Sequence, residues 1–250
     1  MITAAVVIIG NEVLSGRTQD QNLAYLGGAL NELGIVLKET RVVRDEEDAI
    51  IHAVNACRTR YTYVFTTGGI GPTHDDITSA SVAKAFGVPL ERNTDAVGRL
   101  FRHYGTQSLN EARLKMADVP EGATLLDNPV SQAPGFQIGN VFVLPGVPSI
   151  MRAMFDCLSP RLRGGTPIQS RTVSAFITEG GIAIPLAAVQ NAHPGVEIGS
   201  YPFIRSGHFG TSLVVRGADV VAVEQAVLAV VDLLRSLAVE PIEDVSATAA

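Results

Sequence analysis

The hydrophobic and polar positions of this chain change period several times. TAAVVIIG (3–10) is an unbroken apolar run closed by glycine, the pattern of a strand covered on both faces. NLAYLGGALNELG (22–34) then takes a helical period, with Leu23, Leu26, Leu30 and Leu33 on one face and Gly34 as its stop. IVLKETRVV (35–43) predicts a second strand. Ile50, Ile51, Val54 and Cys57 mark the apolar face of a second helix. Its first turn carries Glu46, Glu47 and Asp48, and Asp45 is its natural N-cap. YTYVFTT (61–67) is the third strand. Strand, helix, strand, helix, strand with short connections means βαβ units and a parallel sheet with helices on both faces.

Further along, helices are expected over 77–87, near 93–104 and over 109–117, with Gly87 closing the first. Short strands follow at 123–126, 135–138 and 141–146, then a helix over 147–158 with Pro148 in its first turn. The proline- and glycine-rich stretch 158–170 reads as a linker, which sets the domains at 1–168 and 169–250. In the second, SRTVSAFI, VEIGSYPF and TSLVVRG read as strands, IAIPLAAVQNA and residues 220–237 as helices, and SATAA as a frayed tail. The expected class is α/β with a mostly parallel sheet, followed by a small α+β module.

Composition adds limits. Hydrophobic residues make up 46% and charged residues 18%, enough for a sizeable core. A net charge of −6 argues against a broad nucleic-acid footprint, which would need a basic face, so any phosphate site must be local. Cys57 and Cys157 fall in apolar helical patterns and read as buried free thiols. The N-terminus lacks the basic region of a signal peptide, and no apolar run reaches the ~20 residues of a membrane span. A soluble, cytoplasmic protein without membrane or nucleic-acid partners is expected.

The chemistry concentrates in TTGGIGPTHDD (66–76), where the third strand gives way to a helix. In an open parallel sheet, ligands bind beyond the carboxyl ends of the strands. Gly68, Gly69 and Gly71 permit close backbone approach, Pro72 stiffens the exit, and successive amides there can cradle an anion. The stretch is neither a Walker A loop nor GxGxxG. Asp75 and Asp76 would repel a phosphate unless a cation such as Mg²⁺ stood between them. N-capping of the next helix accounts for Asp76 alone. Asp45 ends the second strand and Glu12, in GNEVLSG after Gly10, ends the first. Three neighbouring strand ends thus each present an acid. His74 reads as incidental, and His52, His103, His193 and His208 show no metal-ligand spacing.

GNEVLSGRTQDQN, TTGGIGPTHDD, NPVSQAPGF and VLPGVPSIM together resemble the CinA-type competence/damage-inducible proteins. More widely, residues 3 to about 160 are similar to the molybdopterin-binding fold of MogA, MoaB and part of some FAD synthases. The remainder resembles the small domain that follows in CinA proteins. The resemblance implies a three-layer α/β/α domain whose pocket holds a pterin or adenine nucleotide. It implies that Asp45 and Asp76 are catalytic and that Asp45, Asp75 and Asp76 hold a divalent metal (Mg²⁺, Mn²⁺ or Co²⁺). Thr67, Gly68, Gly69 and Gly71 match the pocket wall, with Gly146 and Pro148 of LPGVP on a second loop; Gly10, Glu12 and Pro72 complete the candidate substrate-binding set.

Such domains are linked to metal-dependent hydrolysis of ADP-ribose or FAD-like pyrophosphates. The C-terminal amidase domain of full CinA proteins lies outside the match, so its activity is not expected. Two positions depart from the family pattern: Ile150 stands where LPGVP is usually followed by x-Glu-Met, and Asp20-Gln21-Asn22 replaces Asp-Thr-Asn. Three readings stay open: a metal-dependent nucleotide pyrophosphatase, a molybdopterin- or nucleotide-binding protein without turnover, and a structural role in which the C-terminal module builds a homo-oligomer, a dimer being favoured.

Overall fold

The structure is a computed structural model, and it describes residues 1–242. It divides into two compact units, Met1–Gly165 and a second beginning at Thr166.

The first unit runs β1 (Ile2–Ile9), α1 (Asn11–Leu14), α2 (Asn22–Glu32), β2 (Ile35–Val43), α3 (Glu47–Arg58), β3 (Tyr63–Thr67), α4 (Thr78–Phe86), β4 (Leu90–Arg92), α5 (Thr94–Ser108), α6 (Glu111–Leu114), β5 (Asp118–Pro120), β6 (Thr124–Leu126), β7 (Gly135–Ile138), β8 (Val141–Leu144) and α7 (Pro148–Leu158). Six of the strands form one sheet in the order β2-β1-β3-β8-β7-β6. β1 pairs in parallel with β2 and β3, and β3 with β8; β7 and β6 extend the sheet antiparallel.

The unbroken apolar run of β1 has its reason here. Ala4, Val6 and Ile8 face a core with Leu26 and Leu30 of α2 and Met151, Met154 and Phe155 of α7. Ala5, Val7 and Ile9 face the opposite core with Ile50, Val54 and Cys57 of α3 and Val82 of α4. Side chains alternate across a strand, so a strand buried on both faces has no polar phase. The domain is a three-layer α/β/α sandwich with a mostly parallel sheet.

The helix stops at Gly34 and Gly87 hold, both in the left-handed region. The expected helix 93–104 is present, with the Asn93 side chain accepting from the amides of Asp95 and Ala96. Two expectations are corrected. Cys57 is buried, but Cys157 is exposed. The apolar stripe of α7 runs through Met151, Met154, Phe155 and Leu158, and Cys157 lies off it. The antiparallel pair β4–β5 was not expected: β4, Leu-Glu-Arg, is exposed along its length and offers no hydrophobic alternation to read.

The second unit contains β9 (Gln169–Ala175), α8 (Glu179–Ala192), β10 (Glu197–Arg205), β11 (His208–Gly217) and α9 (Val220–Ser236). Its antiparallel sheet, in the order β10-β11-β9, packs a separate core with Val173, Ile182, Leu213, Val215, Val223 and Val230. The expected frayed tail lies outside the described residues. Among the described residues no helix is long and apolar enough to cross a membrane.

Candidate functional site

Three strand ends, β2, β1 and β3, lie side by side at one rim of the sheet. The segments that leave them line a cavity of about 560 Å³. Glu12 after β1, Asp45 after β2, and Gly68, Gly69, Gly71, Asp75 and Asp76 after β3 are all in its wall. Gly146 and Ile150 close it from the loop and first turn of α7. Thr67 and Pro148 instead line a smaller neighbouring cavity, and Gly10 and Pro72 line neither. Gly10 serves indirectly: a Cβ there would come within 2.6 Å of a Glu12 carboxylate oxygen, so its bare backbone makes room for that side chain.

The glycine loop is held by its neighbours. The Gly68 amide donates to the Leu144 carbonyl (3.1 Å), while Thr78 at the start of α4 donates its amide to the Gly69 carbonyl (2.9 Å) and its hydroxyl to that of Gly68 (3.0 Å). Gly68 has φ +103, and a Cβ there would lie 2.2 Å from the Ile9 carbonyl oxygen, so only glycine fits. Between these anchors the amides of Gly69, Ile70 and Gly71 donate to no protein group among the described residues. They are available to a ligand.

The two aspartates at the loop exit converge on Thr73. Its amide donates to Asp76 Oδ2 (2.8 Å), and its hydroxyl lies 2.5 Å from both Asp75 Oδ1 and Asp76 Oδ2. One hydroxyl proton serves one carboxylate at a time, so two anions stand close together around one hydroxyl. The Thr73 hydroxyl, followed by the backbone amide of Asp75 itself, holds the Asp75 carboxyl below the usual carboxylate range. Lys115 stands behind the turn and donates to the Thr73 carbonyl (2.5 Å). Among the described residues no Lys, Arg or His lines the main cavity.

The capping roles open to Asp45 and Asp76 are not the ones they fill. Neither α3 nor α4 has a side-chain cap. Asp45 Oδ2 accepts from the Asn11 amide (2.8 Å) and so ties the end of β2 to the segment after β1. This places Asp45 in the same wall as Asp75 and Asp76, but among the described residues no three His, Cys, Asp or Glu side chains are grouped to hold one metal ion. The expected three-aspartate metal set is therefore not assembled. Asp75 and Asp76 offer paired hard-oxygen donors around Thr73, which suits a cation completed by ligand phosphates and water.

Several wall residues were missed by sequence reasoning. Thr73 could have been found from its position two and three residues before the aspartates, the spacing of a local side-chain turn. Tyr104, Met116, Asn128, Ser131 and Ala133 reach the cavity from the stretch between α4 and β7, and only the fold brings them there. Asn128 and Ser131 do belong to the quoted motif NPVSQAPGF. Asn128 is buried, accepts from the amides of Val130 and Ser131, and donates to Ser131 Oγ and the Ala133 carbonyl, so it shapes that loop.

A glycine loop with free amides, an acidic pair and a cavity at the carboxyl ends of parallel strands define a small-molecule-binding α/β domain. Residues 5–164 match the family described as "Probable molybdopterin binding domain", and residues 167–243 match "FAD synthase, middle domain". The chain belongs to this molybdopterin-binding-domain family and is of its CinA-type kind. A CinA-like protein of Desulfovibrio desulfuricans is 32% identical over 93% of this chain and 56% of its own length. A probable FAD synthase of Caenorhabditis briggsae is 32% identical over 93% of this chain and 49% of its own length. The chain thus spans about half the length of these two relatives. The crystal structure of CinA from Thermoplasma acidophilum is 36% identical, covers 64% of this chain and 96% of its own, and superposes with a TM-score of 0.61.

Proposed function

We propose that this chain is a divalent-metal-dependent pyrophosphatase acting on nucleotide pyrophosphates of the ADP-ribose or FAD class. The observation that carries the reading is the pairing, in one cavity, of free loop amides with two carboxylates that converge on one Thr73 hydroxyl. The amides suit phosphate oxygens, and the carboxylates suit the cation that makes a pyrophosphate acceptable beside them. The FAD synthase name of a relative and of the second matched family agrees with a nucleotide ligand.

In this reading the amides of Gly69, Ile70 and Gly71 bind the pyrophosphate, and Tyr104 and Met116 give an aromatic and apolar wall for the adenine or flavin ring. Asp75 and Asp76 would hold Mg²⁺, Mn²⁺ or Co²⁺, which when bound supplies charge neutralisation and a more acidic water. Asp76 is anchored by two groups of Thr73, so its free oxygen is fixed in orientation before the ligand arrives. Asp45 acts as a positioning residue through Asn11.

A second reading rests on Ile150. An apolar side chain occupies the wall where the family pattern carries glutamate, which favours a protein that holds a pterin or nucleotide without cleaving it. The deciding assay is release of AMP from ADP-ribose and from FAD with each metal and with chelator. Metal-dependent release that disappears in Asp76→Asn, with an unchanged circular dichroism spectrum, is the expected result. Saturable binding without release moves the assignment to a binding protein, and release undiminished in Asp76→Asn removes the acidic pair from the chemistry.

A further inference from the structure

Beside the main cavity lies a smaller one of about 60 Å³, and the two share Ile9, Glu12, Thr18 and Gly146 in their walls. The smaller cavity is set between the end of β3 and the starts of α2 and α7, where Thr67, Asn22 and Pro148 line it. Thr67 has the same strand phase as Phe65, which packs in the core shared by α2 and α7. Thr67 is 1% exposed and Asn22 is 2% exposed.

Both residues carry an orphan polar atom. Thr67 Oγ1 and Asn22 Oδ1 are buried without a hydrogen-bond partner. Asn22 uses its Nδ2 to donate to the Gly146 carbonyl (2.8 Å), which fixes the amide and leaves the oxygen unsatisfied. A buried polar group without a partner is costly, and native structures hold few. Two such groups, from different elements, in the wall of one small cavity point to a partner that the chain does not itself supply.

The chemistry of that partner can be narrowed. Asn22 Oδ1 only accepts, and the carboxylates of Asp20 and Glu12 also line the space. A phosphate would be repelled there. The volume has room for about two water-sized groups at ~30 Å³ each, too little for a purine or flavin ring. Asp20 Oδ1 already accepts from the Leu23 amide in the first turn of α2 (2.8 Å). The unmet groups are therefore the Thr67 hydroxyl, which donates and accepts, and the Asn22 oxygen, which accepts; groups that both donate and accept suit the position. Neutral hydroxyls meet every condition, and two on adjacent carbons meet the count.

We infer that this annex binds the vicinal hydroxyls of a pentose of the ligand, with Thr67 and Asn22 as specificity-determining residues. The inference rests on the reading above only in that the ligand carries a ribose. The test is isothermal titration of the wild-type chain and Thr67→Val with four non-hydrolysable probes: AMP, 2′-deoxy-AMP, ribose 5-phosphate and 2-deoxyribose 5-phosphate. The wild type should prefer one ribo form over its deoxy form about tenfold, and that pair identifies which ribose enters the annex. Thr67→Val should bind both members of the pair with the weaker affinity. Its unfolding midpoint without ligand should stay the same or rise, because a methyl replaces an orphan hydroxyl.

The inference falls if none of the probes binds, if ribo and deoxy forms bind alike, or if Thr67→Val keeps the preference. It also falls if Thr67→Val alone lowers the midpoint by several degrees, since the hydroxyl then serves the fold. A ribose preference without AMP release from ADP-ribose would leave the annex standing and overturn the pyrophosphatase reading. Release without a ribose preference would do the reverse.

Discussion

At the scale of single residues, Thr73 organises the acidic end of the site. Its hydroxyl has one proton and two carboxylates within 2.5 Å. The resulting depression of the Asp75 pKa has a definite sign in pH. Asp75 stays ionised, and able to hold a cation, below the usual carboxylate range. Thr73→Val removes the largest cause and should return Asp75 toward its ordinary value. The acid limb of the metal-dependent pH–rate profile is therefore expected to move to higher pH in Thr73→Val, while the alkaline limb stays in place. An unmoved acid limb would detach Asp75 from the ionisation that limits the rate. The same depression adds to stability above the unfolded-state pKa and is lost as pH falls through the folded-state pKa. Asp75 is exposed, so solvent screens that contribution. The aspartates were legible in the sequence as candidates. Which donor each one takes was not, because Asp45 reaches Asn11 across 34 positions of sequence.

At the scale of elements, the three-layer packing holds the strand ends in place. Phe155 of α7 is fully buried, edge-on to Phe65 of β3 at 5.6 Å between ring centroids and edge-on to Tyr25 of α2 at 6.1 Å. It joins two helices to the strand that feeds the glycine loop. Phe155→Ala should cost about 3–5 kcal/mol of unfolding free energy, seen as a lower urea midpoint with an unchanged slope. A cost under about 1 kcal/mol would mean that the layer is not packed as described. Elements with strong periodicity, such as β1, α2, α3 and α7, could be read from the chain alone. β4 and β5 could not, since three-residue strands carry too short a pattern and are fixed by pairing with each other.

For the whole molecule, two separate cores carry a consequence for ligand binding. The candidate site is built from the first unit, and the core of the second contains none of its residues. A ligand that binds only the folded site stabilises by about 2.7 kcal/mol at a concentration one hundred times its Kd. With ADP-ribose and metal, hydrogen exchange should slow in the amides buried around β1, β3 and β8 and stay unchanged in those of β9 and β11. Equal slowing in both sets would show that the two units open together.

The sequence by itself determined the order of the strongly periodic strands and helices, the parallel sheet at the centre and the rim where the chemistry gathers. Those follow from local physics: hydrophobic period, glycine stops and the rule that strand ends of an open sheet bind ligands. Only the tertiary structure decided that Asp45 takes the Asn11 amide rather than capping α3 and that Tyr104 and Met116 wall the cavity. It alone placed Thr67 and Asn22 together with unsatisfied polar atoms. These are relations between side chains distant in sequence. Their positions depend on strand order, helix packing and the path of loops, which no local pattern encodes.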